Sequence, residues 1–352
     1  MAAWDLLIDR KDLRVTKLAP APDPQAADLA GGQVLLAVES FALTANNITY
    51  GAMGDAFGYW KFFPAPDGWG RIPVWGFATV VASRAEGVAE GLRLFGYLPM
   101  STHVVMQLVP SRDGYVDRSP HRAELPPTYN AYNAAEAPGA DDDYRSLLRP
   151  LLMTSFLLDD FLGEDAAVRT LVLSSASSKT AMGLAFYARS RGVKVVGLSS
   201  PANVARLAGL GLYDQVVSYA EAGSLKTGPG TAYVDFAGDR ATTAAVHEAL
   251  GGDLARSLIV GGTHWEAPRG APQPLPGPQP VLFFAPDQIR KRAGEWGMAE
   301  VDARFRKALA AFVAGAPWLK LVQHKGAEGL EAAYATVLEG RAAPDEGHIV
   351  RP

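Results

Sequence analysis

The sequence predicts an α/β protein in which a parallel-sheet domain interrupts a β-rich one. Three observations lead there. Residues 170–219 give an apolar run (Leu171, Val172, Leu173), a turn of small residues, a helix-like stretch over 181–191 and a second apolar run (Val193, Val195, Val196). That is a βαβ pattern of Rossmann type, whose first turn is where such folds hold a dinucleotide pyrophosphate. The first 110 residues alternate as strands, and the tail from 318 onward returns to strand, helix and strand.

In chain order, residues 33–43 (QVLLAVESFAL) and 77–82 alternate well enough for strands, with further candidates at 93–97 and 102–109. Between them lies an aromatic, glycine-rich loop, 46–70. Its seven aromatics (Tyr50, Phe57, Tyr59, Trp60, Phe62, Phe63, Trp69) can wall a pocket for a flat apolar substrate, or simply pack the loop onto the body. Residues 111–143 read as polar and irregular. A helix is expected from 144, and Pro150 inside it predicts a kink or a fresh start. Two more buried strands fall at 231–236 and 257–260. Each is followed by glycine (FAGD, VGGTHW), as at the carboxyl edge of a parallel sheet where ligands bind. A strand at 281–285, a helix at 301–314 and the segments 319–323, 330–338 and 348–350 complete the reading. The proline-rich stretch 267–280 is neither helix nor inner strand.

Composition removes several function classes. A chain of 352 residues suggests two domains. Charged residues are 20% and the net charge is −4, so no basic face for nucleic acid is implied. With no cysteine there is neither a disulfide nor a thiolate ligand, which fits a cytoplasmic protein. No apolar run is long enough for a membrane span, and the N-terminus does not read as a signal peptide.

The turn itself, TLVLSSASSKTAMG, places Ser175, Ser178 and Ala181 at the spacing of the glycine fingerprint, with small side chains for three glycines. Small residues let backbone N–H groups approach phosphate oxygens, and the following helix adds positive potential at its N-terminus. Ser177 and Thr180 share the turn, and Lys179 can add a full charge. The alternative is an ordinary strand–turn–helix that holds no ligand. At the end of the second strand, NAD-preferring folds place an Asp or Glu for the ribose hydroxyls. Here stand Gly197, Leu198, Ser199 and Ser200, and the next acid is Asp214. Nothing there repels a 2′-phosphate; Ser199 and Ser200 can donate to it and Arg206 can pair with it, which points to NADP.

The order of parts resembles the medium-chain dehydrogenase/reductase superfamily, on its zinc-independent quinone and enoyl reductase-like side. The segments carrying the resemblance are GGQVLLAVESFALTANNITYG, RIPVWGFATVVAS, LRLFGYLPMSTHVVM, AYVDFAG and GAEGLEAAYATVLEGRAAPDEGHIV, in the family's order over nearly the whole chain. The resemblance implies a Rossmann-type NADP-binding domain (146–315) inserted into a GroES-like β-rich catalytic domain (1–145 and 316–352). In metal-using members a cysteine falls near Thr44, a histidine at Phe77 and an acid at Ala78; none is present, and the six histidines show no ligand-like spacing, so no metal is expected. The resemblance places a lysine near Asn203, a tyrosine of the adenosine end at Tyr219 and the strand-end glycine at Gly238. Many resembling proteins pair through the edge strands of the cofactor domain, which leaves a homodimer open.

The implied activity is NADP(H)-dependent reduction of a small, apolar conjugated carbonyl or quinone. Donors expected for the oxygen that gains charge are Tyr50, Asn46 and Asn47, where Asn47 falls at a position related reductases often fill with an acid. Tyr50 is the candidate proton donor or oxygen anchor, against the alternative of a buried tyrosine satisfied by a carbonyl. His264, beside Trp265, is a candidate proton relay or a loop hydrogen-bonder. The cations of PDQIRKR (287–292) read as a helix start with acids early and bases later, or as a contact for an anionic substrate. A second class of function, a non-redox enzyme or nucleotide-binding protein on the same scaffold, is motivated by the lost glycines.

Overall fold

The computed structural model describes residues 3–20, 28–261 and 274–352. The chain divides into two compact units, one of Met1–Leu147 with Leu319–Pro352 and one of Leu148–Trp318.

The first unit begins with β1 (Trp4–Asp9) and β2 (Thr16–Pro20), an antiparallel pair that the sequence reading passed over. β3 (Val34–Leu43) leads into α1 (Ala45–Ala52), where the sequence suggested only loop. Then come β4 (Trp69–Gly70), β5 (Pro73–Ser83), β6 (Arg93–Pro99), β7 (His103–Met106), β8 (Leu108–Ser111), β9 (Gly114–Asp117) and β10 (Ala131–Ala134). The last three correct the expectation of an irregular 111–143. A tight hairpin through Gly114, which takes a left-handed φ of 139°, starts the pairing that polar composition had hidden.

α2 (Asp142–Gly163) runs unbroken through Pro150, so the fresh start expected there does not occur. Leucines on both sides of the proline (Leu147, Leu148, Leu151, Leu152) are all buried, and their burial offsets the roughly 3 kcal/mol that an interior proline costs.

The second unit continues with β11 (Thr170–Leu173), α3 (Lys179–Ser190), β12 (Lys194–Ser199), α4 (Pro201–Ala208), β13 (Gln215–Ser218), β14 (Thr231–Asp235), α5 (Arg240–Leu250), β15 (Leu254–Ile259) and β16 (Val281–Leu282). α6 (Ala285–Trp296) and α7 (Met298–Ala314) close it. Its six strands are all parallel in the order β13-β12-β11-β14-β15-β16, the doubly wound arrangement with β11 beside the point where the order reverses. Every residue of β11 and β14 is buried, as central strands covered on both faces require.

The cations of 290–292 are engaged. Arg292 meets Asp160 and Glu164 at 2.5 Å, Lys291 meets Glu164 at 2.6 Å and Arg290 meets Asp287 at 3.2 Å. The first two cations tie α6 to the C-terminal end of α2, while the Arg290 pair lies within α6.

β17 (Lys320–Lys325), α8 (Gly326–Leu338) and β18 (Glu346–Arg351) return the chain to the first unit. β18 lies parallel to β17 and antiparallel to β3, and with β5, β6, β10, β9 and β8 they form a nine-stranded sheet that also carries β7 on β3. At the middle of it β5 crosses β3 so closely that a side chain at Gly76 would strike the Ser40 carbonyl and lie 2.7 Å from the Phe41 Cα. The α/β fold class, a parallel-sheet unit within a β-rich one, is the one the sequence predicts. Among the described residues no helix is long and apolar enough to cross a membrane.

Candidate functional site

Two constellations stand out, one in each unit. In the second unit the chain leaves β11 at Ser174, whose buried hydroxyl donates to Asp235 Oδ1 at 2.6 Å. The same Oγ accepts the Phe236 and Ala237 amides at 2.8 and 3.0 Å. Asp235 Oδ1 also takes the Ala237 and Gly238 amides, each at 3.0 Å, and Thr243 Oγ1 donates to Oδ2 at 3.3 Å. Burial raises the Asp235 carboxyl above its ordinary value, while the Ser174 hydroxyl and the turn amides pull it back. One hydroxyl–carboxylate pair thus joins the turns after β11 and β14, and fixes Gly238 with φ 72° at the end of the second turn. Neither Ser174 nor Asp235 was singled out from sequence. A Ser at a strand end opposite an Asp at the neighbouring strand end was the available signal.

Ser175 is the one non-glycine residue with positive φ among the described residues, at 48°. Its amide donates to the Tyr219 hydroxyl at 3.0 Å, and its carbonyl accepts the Ser178 amide at 2.8 Å. Tyr213 anchors the next residue, donating to the Ala176 carbonyl at 2.7 Å. Gly197 on β12 makes room here, since a Cβ would come 2.8 Å from that of Ala176 and 3.0 Å from the Tyr213 ring. Ser178 caps α3, its Oγ accepting the Ala181 amide at 3.2 Å, and Ser177, Lys179 and Thr180 are half-buried along the turn. First-turn amides of a helix have no acceptor within it, so Lys179 and Thr180 present their N–H groups at this end. The Tyr219 phenol is pushed up to about 12, mainly by burial.

The next strand end carries the other candidates. Ser199 is buried, Ser200 is the N-cap residue of α4 with Pro201 behind it, and the Asn203 amide bonds the Ser200 carbonyl at 3.0 Å. Arg206 lies on the exposed side of α4. No carboxylate stands at the end of β12.

In the first unit α1 carries both early candidates. Asn47 is buried and acts on backbone: its Oδ1 accepts the Thr44 amide at 2.8 Å and its Nδ2 donates to the Pro73 carbonyl at 2.9 Å. It starts the helix and moors it to β5. Tyr50, 6% exposed, projects from the same helix into a group of rings. Its ring centroid is 4.6 Å from Tyr59, 5.5 Å from Tyr97 and 6.2 Å from Tyr129, and Tyr97 is 4.8 Å from Tyr129. The Trp75 indole donates to the Tyr50 hydroxyl at 3.4 Å. Tyr59 and Tyr129 hydroxyls are 3.5 Å apart.

Burial is the largest influence on all four phenols. Tyr50 is pushed up to about 12, Tyr59 is raised, and Tyr97 and Tyr129 are held well above the ordinary value. The Tyr97 hydroxyl is buried with no hydrogen-bond partner.

Behind the rings sits Arg122, 1% exposed, which donates to the Phe62 carbonyl at 3.1 Å and to the Tyr132 hydroxyl at 3.0 Å beside Asp117. Tyr132 in turn donates to the Tyr97 carbonyl at 2.6 Å. The aromatics of the early loop therefore divide. Trp60, Phe62 and Phe63 are core, Tyr50 and Tyr59 join the hydroxyl cluster, and Phe57, 58% exposed, lines an open groove of about 690 Å³ with Lys61, His121 and Leu125.

Thr44, Phe77 and Ala78 hold a helix start and two fully buried strand positions. Among the described residues no group of three or more His, Asp and Glu is placed to hold a metal ion. His264 and Trp265 lie outside the described residues, as does 267–273 of the proline-rich stretch.

Residues 41–343 match the family described as Protein of unknown function (DUF2855). The chain belongs to that family. No curated protein matches this DUF2855 chain. Its fold is that of the medium-chain dehydrogenase/reductase superfamily. It is similar to CurA from Vibrio vulnificus, solved in complex with NADPH, at 16% identity and a TM-score of 0.66 over 99% of each chain. It is also similar to a mutant enoyl thioester reductase from Candida tropicalis, at 12% identity and a TM-score of 0.59 over 100% of each chain. A Mesorhizobium loti protein assigned as an NADPH:quinone reductase gives 14% identity and a TM-score of 0.63 over 99% of this chain and 98% of its own. At such identities the likeness is one of fold.

Proposed function

We propose that this DUF2855 chain is an NADP(H)-dependent, metal-free oxidoreductase that reduces a conjugated carbonyl, quinone or similar apolar small molecule. The observation that carries the reading is the doubly wound sheet with a small-residue turn at its reversal point and no carboxylate at the end of the neighbouring strand. Those residues fit a pyridine dinucleotide with a 2′-phosphate. Ser175, Ser177, Ser178, Lys179 and Thr180 would hold the pyrophosphate, and Ser199, Ser200, Asn203 and Arg206 the 2′-phosphate. Tyr219 and Gly238 would border the same ligand. Bound there, a reduced nicotinamide supplies hydride.

The chain's own residues do the rest. Ser174 and Asp235 keep two strand-end turns in fixed register, so the donors around them need no reorganisation. The Tyr50 hydroxyl, oriented by the Trp75 indole, donates to the oxygen that gains charge as the acceptor is reduced. The CurA, enoyl reductase and quinone reductase neighbours support the reading by fold.

Quenching of intrinsic fluorescence by NADPH and NADH, followed by absorbance at 340 nm with a panel of quinones and enones, tests it. Saturable binding with NADPH preferred, and oxidation dependent on acceptor, is expected. Binding without oxidation on any acceptor would instead establish a non-redox protein on the same scaffold. The bond from the Ser175 amide to Tyr219 favours that second reading, because it engages a donor the phosphate would want.

A further inference from the structure

The aromatics of the early loop do not all go inside. Trp60, Phe62 and Phe63 are buried, yet Phe57 is 58% exposed and stands in the open groove of about 690 Å³, a size usual for small-molecule sites. Leu125 forms another wall of it. A Cβ at Gly58, which turns left-handed at φ 72°, would lie 3.5 Å from Leu125 Cδ2 and 3.7 Å from Lys61 Cδ, so Gly58 and the Lys61 stem pave the space beside Leu125. The charges around this apolar strip offset one another. Lys61 and Glu124 are of opposite sign, and Asp55 is ion-paired with Arg10. Burial and the Arg122 guanidinium hold His121 below its ordinary value, which favours the neutral ring.

The groove adjoins the tyrosine cluster. The Phe57 ring centroid is 6.2 Å from that of Tyr59, and the half-buried Tyr59 ring is 4.6 Å from that of Tyr50. Two ring spacings therefore lead from the groove to the phenol that meets the acceptor's oxygen. We propose that the groove binds the unbranched, uncharged aliphatic tail of the acceptor, with Phe57 and Leu125 as the residues that select it. This rests on the reductase reading above, but tail binding can be read without turnover. The tail leaves the conjugated carbonyl at Tyr50, passes Tyr59 and lies between Phe57 and Leu125. At a rise of about 1.3 Å per carbon–carbon bond, an acceptor about ten carbons long spans the two spacings and one of about six stops at Tyr59. Each methylene taken wholly out of water is worth up to about fourfold in affinity, and an open groove covers it on one side, for about twofold.

The test uses acceptors that differ in tail alone: trans-2-hexenal against trans-2-decenal, and 2-methyl- against 2-decyl-1,4-naphthoquinone. Each is given with NADPH to wild type, Phe57→Ser, Leu125→Ser and Val109→Ser. In wild type the longer acceptor is expected to show a KM about tenfold lower at unchanged kcat, since the tail is held alike before and during reaction. Phe57→Ser, at an exposed position, and Leu125→Ser should cut that ratio to about twofold and leave the short acceptor as it was. Val109→Ser removes an apolar side chain of the first unit that lies outside the groove, and should keep the ratio. Calorimetry without NADPH should show 1-decanol binding wild type about tenfold more tightly than 1-hexanol, a difference that Phe57→Ser loses.

The assignment is overturned if long and short acceptors share one KM, if Phe57→Ser and Leu125→Ser both keep the wild-type ratio, or if Val109→Ser loses it as they do. Tighter binding of sodium decanoate than of 1-decanol, abolished in Lys61→Gln, would also overturn it by placing an anionic head in the groove. Should wild type oxidise NADPH with none of the acceptors and still bind 1-decanol through Phe57, the reductase reading alone fails. The groove then stands as a site for an uncharged chain.

Discussion

The turn network of the second unit and the tyrosine cluster of the first are built on opposite plans. Around Asp235 the donors are backbone amides and small hydroxyls, drawn from 174–181 and 235–243 and gathered by one carboxylate. Around Tyr50 stand the rings of Tyr59, Tyr97 and Tyr129 from three other segments, with the Trp75 indole donating to its hydroxyl, all held by packing and by the Arg122 ties behind them. A site made of backbone depends on where two strands end. A site made of rings depends on how tightly strands and turns press together. Substitutions that perturb close approach should therefore hurt the first unit more than the second.

Two glycines put that difference to its hardest test. Gly76→Ala pushes a methyl against the Ser40 carbonyl and the Phe41 backbone, neither of which can turn aside. We expect a loss of about 3 kcal/mol or more in thermal or denaturant unfolding, with Trp75 shifted away from Tyr50. Gly183→Ala on α3 meets the end of Leu152 and the Ser155 hydroxyl at 2.7 Å, both side-chain atoms. A loss of about 1 kcal/mol is expected as those rotate. Equal losses from the two variants would show that the first unit is no more sensitive to spacing than the second.

The same contrast explains what could be read in advance. The second unit's site follows from contiguous sequence: apolar run, small turn, helix, then a strand without an acid at its end. Residues 175–181 and 199–206 are the candidates that pattern names. The cluster was legible only at Tyr50 and Tyr59, two of the seven aromatics of the early loop. Tyr97 lies in a strand whose seven residues are all buried, and Tyr129 lies in a polar stretch that looked irregular, so no local pattern linked either to Tyr50. α1 was missed for a similar reason. It is eight residues long, and the Asn47 contacts to Thr44 and Pro73 that stabilise it are tertiary as well as local. Asp235 was passed over because a strand-end acid reads as solvent-facing until the neighbouring strand supplies its serine.

Asp235→Ala should give the next largest effect. It leaves the Gly238 amide and the Ser174 hydroxyl short of an acceptor in a buried place, at a cost of about 2–3 kcal/mol. Dinucleotide affinity should fall with it, because Ser174 then holds the second turn through the Phe236 and Ala237 amides alone. Asp235→Asn keeps one acceptor oxygen and should lose less on both counts. If affinity holds in Asp235→Ala while stability drops, the carboxylate organises the fold alone, and the site draws its order from the Tyr219 and Tyr213 contacts instead.

Tyr219→Phe should give the smallest effect, and its sign is informative. The phenol accepts the Ser175 amide, and a hydroxyl that accepts one bond is a stronger donor in turn. On this account Tyr219 carries the pull of the amide outward past the Ser175 side chain, which blocks the close approach a glycine would allow. Its loss should weaken NADPH binding about fivefold, the worth of roughly 1 kcal/mol from one neutral hydrogen bond, with stability nearly unchanged. A titration that instead shows tighter binding would mean the phenol shuts the amide off from phosphate. A serine at this turn would then be a lock on the site where a glycine would have been its opening.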